Sequence, residues 1–197
     1  MTDFMNRKSY QDLLRTGRAL FWKFGVKRVS VEELCKAAGV SKMTFYRMFK
    51  NKTDLVIHIL RQVHEKGIAD YHDIMQADKP FPEKIRLMVL KKQEYADEIT
   101  NEFFSEVYQS DDEQIQSVIQ EYVTKQQAQV MRDFEQAQRE GWIRQDMRLD
   151  VVFYLLNSIQ AKLADPAFID LHNHNIGEAI MSLTNFFFYG ISNTPEE

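Results

Sequence analysis

The chain has 197 residues, of which 44% are hydrophobic, and a formal net charge of −4, a composition typical of a globular protein of one or two domains. Its single cysteine, Cys35, cannot form an internal disulfide, and we expect it in the core without a reactive or metal-binding role. The most apolar stretches, residues 151–159 and 186–191, are too short to span a bilayer, and residues 1–12 carry no apolar signal core. We therefore expect a cytoplasmic protein without a membrane partner.

The charge is divided unevenly along the chain. Residues 1–52 carry 12 Lys and Arg against 4 Asp and Glu, a net charge of +8, whereas residues 53–197 carry 13 against 25, a net charge of −12. A basic segment joined to an acidic body is expected of a protein that binds nucleic acid through a separate domain. A solvated basic helix face is the alternative that charge alone leaves open.

The first fifty residues predict short helices separated by glycine. The whole chain has seven Gly, four Pro and no long alternation of period two, so strands are poorly supported and we expect an all-helical fold. Apolar residues recur three and four positions apart over residues 10–24, which predicts a first helix that Gly25 ends. Ser30 and Glu33 have the spacing of a capping box that opens a second helix, and Gly39 ends it.

Ser41 is placed to cap a third helix over residues 42–49. Two short helices joined by a turn of three or four residues form a helix-turn-helix motif at about residues 30–49. Phe45 and Phe49 share the inward face of the third helix, so the opposite face is not needed for the core. The side chains on and beside that face can contact phosphates and base edges in a major groove; they are Lys42, Met43, Thr44, Tyr46 and Arg47.

A fourth helix is predicted to begin after a cap at Asn51. Lys50 and Lys52 flank this cap, and the free amides and dipole of a helix N-terminus attract anions. We therefore predict phosphate contacts by both lysines, with simple solvated loop charges as the alternative.

Four motifs within residues 8–60 resemble the DNA-binding domain of the TetR family of regulators. They are Phe24-Gly25, Ala38-Gly39-Val40-Ser41, Phe45-Tyr46-Arg47-Met48-Phe49 and the Lys52-Thr53-Asp54-Leu55 start of the fourth helix. The resemblance implies a homodimer whose paired recognition helices bind a pseudo-palindromic operator in double-stranded DNA. It also implies a C-terminal helical domain that dimerises and holds a small ligand, and repression as the usual activity, with activation left open.

The resemblance also assigns roles by position. It implies phosphate contacts by Ser30, Tyr46 and Lys52, and groove contacts by Lys42, Met43, Thr44 and Arg47. Many relatives have Gly or another small residue where this chain has Met43. The docking depth and the base preference of relatives therefore do not transfer directly to this chain.

The sequence divides into a helix-turn-helix domain, residues 1–52, and a helical effector-binding and dimerisation domain, residues 53–197. A long helix follows residue 55 and ends at the break over residues 78–82, where Pro82 is suited to the start of the next helix. Further helices are predicted over residues 101–108, 112–140, 150–163 and 176–192, with breaks at Gly141 and Pro166.

The last two predicted helices are apolar around most of their circumference, which favours a dimer interface in a four-helix bundle over the core of a monomer. The candidate interface residues are Val152, Leu155, Leu156, Ile159, Leu183, Phe186 and Phe187. Ordinary monomer core is the alternative for one or both helices.

Aromatic residues and methionines in the middle helices are candidates for a pocket that holds a small apolar or amphipathic effector, although such residues are often ordinary core. The candidates are Tyr71, Met75, Met88, Phe103, Phe104, Tyr108, Tyr122, Met131 and Phe134. The histidines lack the spacing of a helical metal site, so we expect neither a metal nor a cofactor.

This pattern bears on three classes of function. A homodimeric repressor released from its operator by a ligand accounts for the basic domain, the helix-turn-helix and the apolar helices. An enzyme is not supported, since there is no phosphate-binding glycine loop and no nucleophile motif. A helical dimerisation module without DNA binding, in which the basic segment would be incidental, remains the alternative.

Overall fold

The structure, a computed structural model, describes residues 8–163 and 165–191, and the side chains of all of these except residues 156, 157, 159–161 and 191. About 79% of the described residues are helical and none lies in a β-strand, which confirms the predicted all-α fold. In chain order the helices are α1 (Lys8–Phe24), α2 (Val31–Ala38), α3 (Lys42–Met48), α4 (Lys52–Gln76), α5 (Phe81–Glu98), α6 (Asn101–Tyr108), α7 (Glu113–Arg139), α8 (Leu149–Leu163), α9 (Pro166–Asp170) and α10 (Ile176–Ile191).

Helix α9 is the element that the sequence analysis did not predict. The sequence predicts a break at Pro166, whereas Pro166 begins this short helix in the structure. The side chain of Asp165 caps it by accepting a hydrogen bond of 3.0 Å from the amide of Ala167. A proline fits the first turn of a helix because the amide that it lacks would have no helical partner there.

Caps determine the geometry of α2, α3 and the turn between them. The Ser30 hydroxyl accepts from the amide of Glu33 at 3.2 Å, and the Glu33 carboxylate accepts from the amide of Ser30 at 2.7 Å, as the capping-box pattern predicts. Gly39 ends α2 with a φ of 67°, a left-handed conformation that glycine adopts at low cost. Ser41 then caps α3 by accepting from the amide of Thr44 at 3.1 Å.

Two compact units divide the described chain. The N-terminal unit comprises the described residues up to Lys66 together with Ile99–Glu121, and the C-terminal unit comprises Gly67–Glu98 together with the described residues from Tyr122 onward. Both α4 and α7 contribute residues to each unit. Because these units are defined by packing, the functional division predicted at residue 52 stays a prediction.

The N-terminal unit has its own apolar core beneath the helix-turn-helix. Leu13, Phe21, Phe45 and Leu55 are fully buried in it, and α1 lies close to α4 because Gly17 has no side chain. A Cβ added to Gly17 would lie 2.9 Å from the Cδ1 atom of Ile59. Cys35 is buried in the same core, where we expected it.

The C-terminal unit is built around α5, which packs along α10. A Cβ added to Gly177 at the start of α10 would lie 2.8 Å from the carbonyl oxygen of Ala96, so the two helices approach closely there. Phe134 of α7 lies between two rings of this core: its centroid is 5.6 Å from that of Phe153 of α8 and 6.5 Å from that of Phe187 of α10, on which it stacks. Among the described residues, no helix is both long enough and apolar enough to cross a membrane.

The left-handed turn makes the stability of the N-terminal unit sensitive to residue 39. Gly39→Ala is expected to lower its free energy of unfolding by about 1–2 kcal/mol, since a Cβ is disfavoured at positive φ and no atom within 4 Å could clash with it. Gly39→Asn is the matched variant and should lose less, because Asn tolerates this conformation. In a Trp142→Phe background Trp22 is the sole tryptophan, and its fluorescence in urea measures unfolding of this unit. Equal losses in both variants would contradict the conformational explanation.

Candidate nucleic-acid interface

Helix α3 presents a surface that the core does not use. Phe45 and Met48 of this helix are buried, whereas Met43 is 81% exposed and Tyr46 is 57% exposed. Lys42 and Arg47 are also exposed, and Thr44 is half-buried at the edge. We call these five residues, Lys42, Met43, Thr44, Tyr46 and Arg47, the α3 outer face. The structure brings them together as the helical spacing predicted.

The hydrogen-bonding groups of the α3 outer face differ in availability. Among the described residues, the Arg47 guanidinium has no hydrogen-bond or ion-pair partner. Lys42 pairs with Glu32 of α2, and this hydrogen bond lowers the pKa of Glu32 and raises that of Lys42, so both groups are charged at neutral pH. The Thr44 hydroxyl lies 3.0 Å from that of Ser41. Because the Lys42–Glu32 pair is exposed, solvent and salt weaken it, and a phosphate can compete for the ammonium.

Ser30 is engaged inside the capping box. Its hydroxyl donates to the Glu33 carboxylate at 2.7 Å and accepts from the Glu33 amide at 3.2 Å. Hydrogen bonds from the Ser30 amide and hydroxyl lower the pKa of Glu33, so this end of α2 carries a negative charge. The phosphate contact by Ser30 that the resemblance implies would require rearrangement of this cap, and it stays a prediction.

Lys52 points into the protein rather than outward. Its Nζ donates to the carbonyl oxygens of Val26 at 2.6 Å and Val29 at 2.8 Å, and it lies 3.3 Å from that of Lys27. Burial lowers the pKa of Lys52, while the charges of Glu106 and Glu33 oppose that shift. An ammonium has three protons, and three carbonyls of the segment before α2 take them. In this geometry the Lys52 ammonium binds backbone carbonyls of its own chain, and the phosphate contact predicted from the sequence stays a prediction.

Lys50 is the lysine at the start of α4 that remains outward. It is exposed, and its side chain has no hydrogen-bond or ion-pair partner among the described residues. Its amide donates to the Asp54 carboxylate at 2.9 Å, while the amide of Asp54 donates to the Asn51 side chain at 2.9 Å. Reciprocal capping thus holds the start of α4 and leaves the Lys50 ammonium available to an anion.

Comparison with known proteins agrees with this geometry. Residues 13–59 match the sequence model of the bacterial regulatory proteins of the tetR family. The Transposon Tn10 TetC protein of Escherichia coli is 38% identical over 56 residues, which span 28% of this chain and 28% of TetC. Residues 13–59 are thus similar in sequence to the DNA-binding domain of tetR-family regulators.

Solved structures extend the similarity in fold over the rest of the chain. Regulatory protein TetR from Rhodobacter sphaeroides has a TM-score of 0.72 at 17% sequence identity, covering 94% of this chain and 100% of that one. The transcriptional regulator FadR from Bacillus subtilis, in complex with stearoyl-CoA, has a TM-score of 0.66 at 16% identity, covering 92% and 99%. The C-terminal helices thus share the fold of TetR-family transcriptional regulators.

The structure separates the predicted pocket residues into two groups. Met88 and Phe134 belong to the core of the C-terminal unit, and Tyr71, Met75 and Met131 are half-buried against it. Tyr122 lies in α7 of the same unit. Burial raises the pKa of Tyr122 to about 12, so its phenol is neutral.

Phe103, Phe104 and Tyr108 instead belong to α6 in the N-terminal unit. Phe103 packs against Trp22 of α1, with ring centroids 3.8 Å apart, and Phe104 stacks on Tyr108 at 5.2 Å. Phe103 is fully buried in the core of the N-terminal unit, and its predicted place in a pocket stays a prediction.

The predicted dimer residues divide in the same way. Val152 and Phe187 are buried in the core of the C-terminal unit, and their predicted role in a dimer interface stays a prediction. Leu155 is 53% exposed, Phe186 is 80% exposed and Leu183 is half-buried. The side chains of Leu156 and Ile159 lie outside the described residues.

Several further exposed groups are not among the residues predicted from the sequence. Val151, Tyr154 and Tyr189 are exposed on α8 and α10, and the helical spacing of Val151, Tyr154 and Leu155 could have identified them. Lys27 and Arg28 are exposed in the segment before α2. Their position one turn from the Ser30 cap was the available signal for a basic surface there.

The contacts of Lys52 lead to a prediction that distinguishes a stabilising role of this lysine from a contact with DNA phosphate. Lys52→Met is expected to lower the free energy of unfolding of the N-terminal unit by roughly 1–3 kcal/mol, since half-buried carbonyls lose their donor. Lys50→Met, the matched control, should leave stability unchanged. The slope of log affinity against log salt should shrink by about 1 for Lys50→Met and stay constant for Lys52→Met. A reduced slope for Lys52→Met at unchanged stability would restore the phosphate role.

Proposed function

We propose that this chain is a homodimeric, sequence-specific DNA-binding repressor that leaves its operator when a small amphipathic effector binds in the C-terminal unit. The observation that carries the proposal is the α3 outer face. A well-capped helix-turn-helix displays Met43 at 81% exposure beside Arg47, whose guanidinium has no partner in the part of the chain that the structure describes. Neither side chain contributes to the core. A surface of this kind on the second helix of such a motif suits a major groove.

The groups of the α3 outer face fit distinct parts of DNA. The Arg47 guanidinium suits the O6 and N7 acceptors of guanine, and the Met43 side chain suits the methyl group of thymine. The Tyr46 hydroxyl and the Lys50 ammonium suit backbone phosphates, as does Lys42 once it exchanges Glu32 for a phosphate. The net charge of +8 over residues 1–52 supports the same assignment.

Exposed apolar residues on α8 and α10 support dimerisation. Tyr154 is 72% exposed, Phe186 is 80% exposed and Tyr189 is 63% exposed, with Val151 and Leu155 beside Tyr154. Large side chains clustered at the surface of two helices favour association, because burying them removes apolar area from water. We call Val151, Tyr154, Leu155, Phe186 and Tyr189 the apolar face. An isologous dimer would place the two DNA-binding helices in successive major grooves, about 34–36 Å apart.

Release by an effector requires a link between the C-terminal unit and the DNA-binding helices. Helix α6 belongs to the N-terminal unit, while the helices joined to it in the chain, α5 and most of α7, belong to the C-terminal unit. The Thr100 hydroxyl donates to the Trp22 carbonyl at 2.7 Å, and the Glu106 carboxylate accepts from the Lys27 amide at 2.8 Å. A shift of α6 would therefore displace the segment that leads into α2.

The coupling that this mechanism needs is modest. A free energy of about 1–3 kcal/mol between the effector site and the DNA-binding helices would change operator affinity roughly 5- to 150-fold. The stearoyl-CoA complex of the Bacillus subtilis FadR is an instance of a small molecule bound to a protein of the same fold. That complex supports the proposal that the present chain binds a small-molecule effector, but it does not identify the molecule.

DNA binding is tested by selecting bound sequences from a random DNA pool at about 50 mM salt and measuring the affinity again at about 200 mM. We expect a pseudo-palindromic site whose affinity falls roughly 10³- to 10⁵-fold between the two conditions. Arg47→Ala should weaken binding about 10- to 100-fold and relax the preference at one base pair in each half-site.

The control for that experiment is Arg139→Ala, which removes an exposed arginine from α7 and should leave DNA affinity unchanged. If no sequence is enriched, or if affinity is indifferent to salt and to Arg47, DNA binding is excluded. A helical dimerisation module then becomes the better description.

The apolar face is tested by introducing a charge. Phe186→Glu is expected to raise the dimer dissociation constant about 100-fold, since an exposed aromatic at the centre of an interface contributes strongly and a carboxylate cannot be buried there unpaired. Sedimentation of the folded protein measures the change. Leu90→Glu, which charges an apolar residue that is 51% exposed on α5, is the control and should remain dimeric. Identical sedimentation of wild type and Phe186→Glu would contradict this interface.

A further inference from the structure

A lysine lies at the centre of the inward face of α5. At 100° per residue, the buried residues of this helix, Phe81, Ile85, Met88, Val89 and Ala96, all lie within about 60° of the direction of Lys92. Met88 and Ala96 lie one turn before and one turn after it. The apolar stripe that builds the core of the C-terminal unit is thus interrupted in its middle by an ammonium-bearing side chain.

Lys92 is nevertheless exposed, although its neighbours on this stripe are buried. The surrounding protein also desolvates the ammonium, which lowers the pKa of Lys92 from its ordinary value. A side chain can be accessible and yet surrounded by protein when it projects into a recess rather than onto the outer surface. The adjacent Lys91 differs, since its hydrogen bond to Glu94 raises the pKa of Lys91.

No side chain in the described part of the chain supplies a counter-ion to the Lys92 ammonium. Among the described residues, Lys92 has no hydrogen-bond or ion-pair partner. Two half-buried carboxylates of the unit already have partners: Asp70 accepts from the Tyr95 hydroxyl at 2.7 Å, and Asp133 accepts from the Tyr71 hydroxyl at 2.8 Å. A desolvated charge without a partner costs free energy, and an anion supplied from outside the chain would offset that cost.

We propose that Lys92 binds the carboxylate of an amphipathic anion whose apolar part packs against the core cluster of the C-terminal unit. The inference rests on the proposed function, because it names the chemical class of the effector that this unit would hold. Tyr71, Met75, Met88, Met131 and Phe134, predicted from the sequence as pocket residues, all belong to or pack against that cluster. The ammonium selects the head group and the cluster accepts the tail.

The test compares ligands that differ only in head group. Binding of decanoate and of 1-decanol to the full-length protein is measured by calorimetry without DNA, for wild type, Lys92→Met and Lys91→Met. We expect wild type to bind decanoate about 10- to 100-fold more tightly than 1-decanol, the range of a charge-assisted hydrogen bond. Lys92→Met should lose this preference and keep its affinity for 1-decanol, while Lys91→Met should retain it.

A second measurement excludes a purely structural lysine. Because methionine retains the apolar stem and removes an unpaired charge, Lys92→Met should be at least as stable as wild type in urea, followed by the fluorescence of Trp142 in a Trp22→Phe background. Loss of stability, equal affinity of wild type for both ligands, or persistence of the preference in Lys92→Met would each overturn the proposal. Operator binding is measured separately, so failure here with intact DNA binding rejects the anion site alone.

Discussion

The segment between α1 and α2 is the constraint on which the geometry of the candidate interface depends. The Lys52 ammonium, at the start of α4, donates hydrogen bonds to two carbonyl oxygens of this segment, those of Val26 and Val29. Helix α6 contacts the same segment through the Glu106 carboxylate, which accepts a hydrogen bond from the Lys27 amide. These charged groups act on a short stretch of backbone that leads directly into the Ser30 cap. The direction in which α2, and through it α3, leaves the core therefore depends on two helices distant in sequence.

The contacts between α1 and α6 explain why α6 is part of the N-terminal unit. A helix-turn-helix over residues 30–49 needs only α1 and the start of α4 for its core, yet Trp22 stacks on Phe103 and its carbonyl accepts from Thr100. The packing therefore extends the unit beyond the basic segment. In the proposed mechanism, α6 carries displacement of its chain neighbours to the segment before α2, and the loss of one well-placed hydrogen bond there is comparable to the modest coupling required.

Two features of the C-terminal unit differ from those of an ordinary folded domain: apolar side chains at its surface, and a charged side chain on the inward stripe of α5. The apolar face of α8 and α10 exposes aromatic rings that a solitary domain would bury, which is why we propose a second copy of the chain as its cover. Lys92 places a charge on an inward stripe that an ordinary core would keep apolar. In the proposed function, a second chain would cover the apolar face and an anion would neutralise Lys92, so each feature would be stabilised by a partner.

Local patterns determined most of the fold from the sequence alone. The capping box at Ser30 and Glu33, the glycine at position 39 and the three-then-four spacing of apolar residues act over a few residues, so the helices and the outward face of α3 could be predicted. Residue type could not reveal that Lys52 turns inward, that Phe103 packs on Trp22, or that Val152 and Phe187 are core while Tyr154 and Phe186 are exposed. Those outcomes depend on partners far away in the chain, such as the Val26 carbonyl for Lys52. Only tertiary packing decides which of several chemically equal lysines or aromatic residues meets such a partner.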